Sequence, residues 1–220
     1  MKDFIKLIKD SYWFTNESPF RLHYVETDSK VCIITGQNAS GKSFLRKILN
    51  SRHQDDDIEY IHLSQCGRST SSGLMRAMVY GTEEDNSTGY LSVKAIRGAI
   101  RTGIARTKPF SLMLDEPEIG CSEELALSLS HKLVNEIPNM LKLENLYINT
   151  HSRNIIKPLL ALNPSYVHLH SVDEELKYPT VQSWLDREIE PLDVDLLYEN
   201  ANKKYTAVSK LIDNRKKGGS

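Results

Sequence analysis

The sequence predicts an α/β protein with a mainly parallel central sheet and flanking helices. Strand-like segments alternate with helix-like segments along the chain, as in parallel sheets whose strands are joined by crossover helices. Residues 110–114 form a short, continuous apolar run, which is typical of a strand that is covered on both faces. The 220 residues are 40% hydrophobic and 26% charged, so the chain can bury a sizeable core.

Six segments are predicted as strands and five as helices. The first two β-rich segments are separated by the turn-forming Thr27-Asp28-Ser29, and an acidic turn at residues 55–57 precedes the third. The predicted strands are residues 21–26, 31–35, 58–63, 110–114, 146–149 and 166–169. The predicted helices are residues 42–50, 74–80, 91–104, 122–135 and 152–162.

These elements are expected to belong to one domain, residues 1–202. Residues 64–105, which begin with a polar stretch rich in serine and glycine, are expected to form an insert of loop and helix within it. Residues 203–220 are expected to form a charged C-terminal tail that is partly disordered.

Composition narrows the functional classes. The formal net charge is -1, so there is no global basic field of the kind that marks many nucleic-acid binders. Cys32, Cys66 and Cys121 are far apart and form no CxxC pair, which argues against a disulfide framework and a zinc site. The N-terminus has no apolar stretch of signal-peptide type, and no run of about 18 apolar residues occurs. We therefore expect a cytoplasmic protein without a membrane partner.

Residues 36–43 match the phosphate-binding pattern G-x-x-x-x-G-K-S/T in full. A strand-like segment precedes the match and a helix-like segment follows it, as this loop requires. The two glycines let the backbone curl so that N–H groups face phosphate oxygens, and the helix adds its positive dipole end. The motif predicts a P-loop NTPase in which Lys42 reaches the β- and γ-phosphates and Ser43 coordinates Mg²⁺. The predicted nucleotide-binding residues of the loop are Gly36, Gln37, Asn38, Ala39, Ser40, Gly41, Lys42 and Ser43.

Two adjacent acids follow the apolar segment 110–114. A strand end would place Asp115 at the carboxyl edge of the sheet, which is the edge where a phosphate loop also lies. Asp115 is therefore predicted to hold Mg²⁺, directly or through water. Glu116 is predicted to polarise a water for in-line attack on the γ-phosphate. Pro117, which lacks an N–H group, ends the strand.

Together these residues resemble the ABC-type ATPases, a group that includes transporter nucleotide-binding domains and the ATPase heads of SMC-like and RecF-like proteins. The loop at 36–43 looks like the group's G-x-N-G-x-G-K-S, with Ala39 where glycine is usual, and Leu-Asp-Glu-Pro at 114–117 looks like its Walker B. Ile-Asn-Thr-His-Ser at 148–152 looks like its switch, which implies that His151 contacts the γ-phosphate. Gln65 falls at the place of the group's Q-loop glutamine, which implies that it senses Mg²⁺ and the attacking water.

The sequence departs from this group at two motifs. The signature L-S-G-G-Q is absent, and Asn-Ser-Thr-Gly-Tyr stands at 86–90 in its place. Ser87 and Gly89 could still offer a hydroxyl and a backbone N–H to a γ-phosphate across a dimer, and residues 71–73 are a second candidate. The D-loop, residues 118–122, lacks the usual aspartate. Because the sequence shows no long heptad segment and no membrane span, it predicts a compact ATPase head without a coiled-coil arm.

Three weaker features of the sequence bear on binding. Lys94, Arg97 and Arg101 recur at helical spacing, which indicates a solvated face or a surface for nucleic acid. The aromatic residues at 12–14 indicate core packing or, by resemblance, a surface that stacks on adenine. His168 and His170 lie on one face of a predicted strand and are interpreted as ordinary strand residues, not as metal ligands.

The sequence thus predicts ATP binding and hydrolysis with ATP and Mg²⁺, coupled to dimerisation with a second copy or to engagement of a partner protein. The resemblance implies a genome-maintenance, defence or phage and mobile-element system, and it is the sole basis for adenine as the base. Two other interpretations stay open. One is a regulatory subunit that binds ATP without hydrolysing it, and the other is a P-loop phosphotransferase acting on a small molecule.

Overall fold

The computed structural model describes residues 3–15, 17–56, 58–64 and 87–218, with side chains up to residue 215. Its six strands form one sheet in the order β1-β6-β2-β5-β4-β3. In chain order the strands are β1 (Phe20–Val25), β2 (Val31–Gly36), β3 (Glu59–Ser64), β4 (Phe110–Asp115), β5 (Leu143–Asn149) and β6 (Ser165–Ser171). All six predicted strands are thus present, with bounds that differ by up to three residues at either end.

The sheet is mostly parallel, as predicted. Strand β5 pairs in parallel with β2 on one side and with β4 on the other, and β4 pairs in parallel with β3. Strand β1 is the exception, because it pairs antiparallel with β6. Every residue of β2 and of β4 is buried. The continuous apolar runs therefore form strands that are covered on both faces.

Seven α-helices occur in the described part of the chain. Serine side chains begin three of them: Ser87, Ser122 and Ser152 each accept a hydrogen bond from the backbone N–H three residues later. Such caps satisfy N–H groups that have no partner inside the helix. The helices are α1 (Phe4–Lys9), α2 (Lys42–Asp55), α3 (Thr88–Ala105), α4 (Glu123–Glu136), α5 (Arg153–Leu159), α6 (Val181–Leu185) and α7 (Val194–Gly218).

Contacts divide the described residues into two compact units. The first comprises residues 26–34 and 53–165, and it contains the parallel strands together with α3, α4 and α5. The second comprises residues 3–25, 35–52 and 166–218, and it contains the phosphate loop, β1 and most of β6. Each unit is therefore described by itself below.

Several sequence expectations meet a different outcome. Residues 203–218, expected to be a partly disordered tail, form the second half of α7. Helices α1 and α6 were not predicted. The expected helix at 74–80, most of the expected insert, Gln65 and the second signature candidate at 71–73 lie outside the described residues. Within the part of the chain that the structure describes, no helix is long and apolar enough to cross a membrane.

Candidate functional site

The phosphate loop joins β2 to α2 in the second unit. Three of its residues have backbone angles in the left-handed region: Gly36 with φ 151°, Ala39 with φ 59° and Gly41 with φ 101°. A Cβ on Gly36 would lie 2.3 Å from Ser40 Oγ, and a Cβ on Gly41 would lie 2.8 Å from the Phe20 ring. Both glycines are therefore required by conformation and by space. Ala39 takes up the left-handed conformation at a position where glycine is usual in the group that the loop resembles.

Lys42, the first residue of α2, turns back over this loop. Its Nζ donates to the carbonyl oxygens of Gly36 at 2.9 Å and Gln37 at 2.8 Å, and the residue is 7% exposed. Ser40 is also buried, and its Oγ makes no hydrogen bond within the described residues. A buried hydroxyl without a partner is costly unless a ligand satisfies it. A loop with this hydroxyl, a cationic amine and a helix N-terminus has the donor set that binds phosphate oxygens.

An aromatic cluster lies beside the loop in the same unit. The Phe44 ring, in the first turn of α2, packs against three other rings, those of Trp13, Phe14 and Phe20, at centroid distances of 5.7 to 6.0 Å. Phe14 and Phe20 are buried, whereas Trp13 is half-buried and lies under the guanidinium of Arg215 at 4.7 Å. The aromatic segment at 12–14 therefore helps to pack the first turn of α2.

A buried polar network supports the strand end that leads into the loop. Thr35, which directly precedes Gly36, donates from Oγ1 to Tyr166 Oη at 3.0 Å and lies 2.9 Å from His168 Nδ1. Burial, with smaller contributions from the neighbouring His170, His23, Lys42 and Arg187, lowers the pKa of His168 to about 4. The imidazole is therefore neutral at neutral pH, so it can keep a hydrogen bond with Thr35 without a buried charge. His168 therefore supports the backbone that leads into the loop through its hydrogen bond with Thr35.

In the first unit, the carboxyl ends of the parallel strands β3, β4 and β5 stand at one level, in register with Ile34 of β2. Ser64 pairs with Asp115, Asp115 pairs with Asn149, and Asn149 pairs with Ile34. Ile34 precedes Gly36, the first residue of the phosphate-loop motif, by two positions in the chain. Carboxyl edges of parallel sheets are where α/β proteins bind ligands.

Asp115 is held at this edge from two sides. Asn149 Nδ2 donates to Asp115 Oδ1 at 2.5 Å, and His62 Nε2 lies 3.5 Å from Asp115 Oδ2. Asp115 is 9% exposed and Asn149 is 2% exposed. Asn149 was not identified as a site residue from the sequence, although an amide at the end of an apolar strand was the available signal. The contact fixes the carboxylate of the predicted Mg²⁺ ligand.

The two predicted catalytic groups of this unit face each other. His151 Nε2 lies 3.6 Å from Glu116 Oε1, and both side chains are partly exposed. Glu116 has φ 53°, an unusual left-handed conformation for a residue with a side chain, and its N–H donates to Asn149 O at 2.8 Å. Strained backbone of this kind is concentrated at functional sites. The structure thus brings Asp115, Glu116 and His151 together at one sheet edge.

A third acid, Glu118, lies behind this pair and was not predicted. Glu118 Oε1 accepts hydrogen bonds from Thr150 Oγ1 at 2.8 Å and from the His151 N–H at 2.9 Å. Burial raises the pKa of Glu118, and these hydrogen bonds partly oppose that rise. The only signal in the sequence was an acid in the D-loop segment 118–122, which lacks the aspartate that is usual in the group it resembles.

The signature candidates Ser87 and Gly89 lie at the start of α3 in the first unit. Ser87 is exposed, and its side chain accepts a hydrogen bond from Tyr90 N–H. Gly89 is buried, and a Cβ placed on it would lie 2.6 Å from the carbonyl oxygen of Gly120. Close packing against the loop after β4 thus explains the glycine at 89, and a phosphate contact across a dimer stays a prediction for both residues.

Substituting Gly89 tests this packing, and Gly98 in the same helix is a matched control. Gly89→Ala is expected to lower the free energy of unfolding by about 1–3 kcal/mol, because the methyl group collides with backbone. A Cβ on Gly98 meets no described atom within 4 Å, so Gly98→Ala should raise stability by about 0.5–1 kcal/mol. Urea denaturation measures both. Equal effects of the two substitutions would show that the close contact at Gly89 is absent.

The remaining predicted residues that the structure describes are exposed to solvent. Ser43, Gln37 and Asn38 are exposed on the phosphate loop and the first turn of α2. Lys94, Arg97 and Arg101 are all exposed on α3, at the spacing of one helix face. No ion pair involves these three residues within the described part of the chain.

Comparison with known proteins finds no family model that matches this chain and no curated protein with significant similarity to it.

Proposed function

We propose that this protein is a cytoplasmic Mg²⁺-dependent ATPase whose ATP binding drives dimerisation or engagement of a partner. The phosphate loop carries the proposal. Its full sequence motif, three left-handed residues and the buried Lys42 supply the conformation and charge that phosphate binding needs. The unpartnered Ser40 hydroxyl supports the same role, because a bound phosphate would satisfy it.

The chemistry of Asp115 and of the phosphate-loop serine supports Mg²⁺ as the metal of this proposal. Proteins usually hold this ion through one or two carboxylates and substrate phosphates, not through a full cage of side chains. The described residues contain no group of three or more His, Cys, Asp or Glu placed to hold a metal. Ser43, Asp115 and Gln65 are the proposed ligands. When bound, the ion would neutralise charge on the β- and γ-phosphates.

The acidic edge supports hydrolysis over binding alone. Glu116 would orient the attacking water and accept its proton, while His151 would donate to an oxygen of the γ-phosphate. Their separation of 3.6 Å suits two groups that act on the same small region of substrate. Lys42 would stabilise negative charge on the phosphate oxygens as the bond to the leaving group breaks.

The output of this cycle is proposed to be conformational. We assign the closing contact to a second copy of the chain or a partner protein, through the start of α3 at Ser87 and Gly89. The exposed basic residues of α3 favour nucleic acid as a further ligand, since a row of cations without acids in the helix attracts polyanions. A genome-maintenance, defence or mobile-element setting rests on the resemblance alone.

Phosphate release from ATP tests the proposal against its two rivals. The purified protein should release inorganic phosphate with Mg²⁺ present, and a chelator should abolish the reaction. Transfer of labelled phosphate to an added acceptor, without free phosphate, would instead identify a phosphotransferase. Binding of Mg-ATP with turnover at background, even with saturating partner, would identify a regulatory subunit. Failure to bind ATP at all would overturn the three proposals together.

A further inference from the structure

The switch segment at 150–152 is fixed by one acid from a distant loop. Thr150 Oγ1 and the His151 N–H both donate to Glu118 Oε1, and the Ser152 N–H donates to Thr150 Oγ1 at 2.9 Å. The Thr150 N–H also donates to Ile34 O at 3.2 Å, but among the described residues Glu118 Oε1 is the acceptor for both the Thr150 hydroxyl and the His151 N–H. Thr150 is fully buried, so no water competes for its hydroxyl in the folded state.

The same loop also carries Glu116, two residues before Glu118. Its backbone is tied to the switch strand by the hydrogen bond from Glu116 N–H to Asn149 O, at 2.8 Å. Glu118 therefore closes a short ring of contacts in which residues 116–118 and 149–151 are joined at both ends. The Glu116 and His151 side chains project from this ring and lie 3.6 Å apart.

The contribution of Glu118 to folding stability does not by itself explain an acid at this position. Its carboxylate is largely removed from water, and its Oε2 makes no hydrogen bond within the described residues. Glu116 lies close enough to raise the pKa of Glu118 further. A neutral hydrogen-bond acceptor would join the two loops without a buried charge beside a second acid. The placement of an acid at this point, with one oxygen bonded to Thr150 and His151, indicates a role in the site.

We propose that Glu118 is a positioning residue: it fixes the backbone at Thr150 and His151 so that the His151 imidazole faces Glu116. This inference rests on the proposed ATPase function, for which it names a further residue. Glu118 acts through His151 and does not touch substrate. We call the two hydrogen bonds from Thr150 and His151 to Glu118 the clasp. Loss of the clasp frees residues 150–151 to move, and a displacement of about 1 Å at a reacting group can cost roughly 100-fold in rate.

Steady-state hydrolysis by Glu118→Ala and Glu118→Gln tests the role. In Glu118→Ala, kcat should fall roughly 100-fold while KM for ATP stays unchanged, because the phosphate loop is intact. Glu118→Gln keeps one acceptor oxygen and should recover part of kcat. Glu123→Gln, an exposed acid at the start of α4, is the control and should match the wild type. A wild-type kcat in Glu118→Ala overturns the proposal. A variant in which kcat and the melting temperature fall while KM rises also overturns it, because that combination would show a structural role.

Hydrogen exchange at the His151 amide separates this inference from the ATPase proposal. The amide should be protected in the wild type and exchange at least about 10-fold faster in Glu118→Ala, because its acceptor is lost. Unchanged exchange overturns the positioning role, whether or not ATP is hydrolysed. Faster exchange in a protein that neither binds nor hydrolyses ATP overturns the ATPase function and leaves the clasp itself established.

Discussion

Replacing Lys42 with alanine is expected to weaken Mg-ATP binding roughly 100-fold. The amine supplies charge-assisted hydrogen bonds to phosphate, each of which contributes about 1.5–3 kcal/mol, and 1.4 kcal/mol corresponds to tenfold in affinity. Lys42 Nζ also holds the carbonyl groups of Gly36 and Gln37, so its loss loosens the loop as well. Calorimetric titration with a non-hydrolysable ATP analogue and Mg²⁺ measures the change.

Lys47 provides the matched control for this substitution. It lies on the same helix, α2, but is exposed to solvent and outside the loop motif. Lys47→Ala should bind the analogue as the wild type does. If both alanine variants bind equally well, the phosphates are held elsewhere and the assignment of residues 36–43 is wrong.

Local chemistry made the loop and the buried strands predictable. The pattern at 36–43 restricts backbone angles at Gly36 and Gly41, and the apolar run ending at Leu114 suits only a strand buried on both faces. Such signals are contained in a few adjacent residues. The end-of-strand position of Asp115 follows from them, and the parallel sheet was predicted from the alternation of strands and helices along the chain.

Contacts between distant residues could not be predicted in the same way. Glu118 and His151 are joined across 33 positions, and Thr35 and His168 across 133. Neither pair leaves a local pattern in the sequence, because each depends on which strands become neighbours. Gly89 shows that one local pattern can have two explanations: its glycine suits a phosphate contact, which stays a prediction, and it also packs closely against the backbone of Gly120. The long helix α7 was not predicted, because residues 203–218 were interpreted as part of a charged tail.

Glu116→Gln should lower ATP turnover by roughly 100- to 10,000-fold, the usual contribution of a positioned general base. Glutamine keeps the size of the side chain, so the variant should still bind Mg-ATP through the loop. Single-turnover measurement of phosphate release separates the chemical step from product release. Glu123→Gln, in the first turn of α4, should turn over ATP as the wild type does. Undiminished turnover in Glu116→Gln would assign the base to another residue.

The same variant tests whether ATP closes a dimer. Because Glu116→Gln is expected to bind ATP without hydrolysing it, the closed dimer should accumulate. Light scattering with Mg-ATP should then show twice the 25.1 kDa mass of one chain. Adding Lys42→Ala should restore the monomer, since the dimer requires bound nucleotide. Monomers under every condition, with ATP bound, would overturn ATP-driven self-association. The start of α3 would then have to meet a different protein to complete the site.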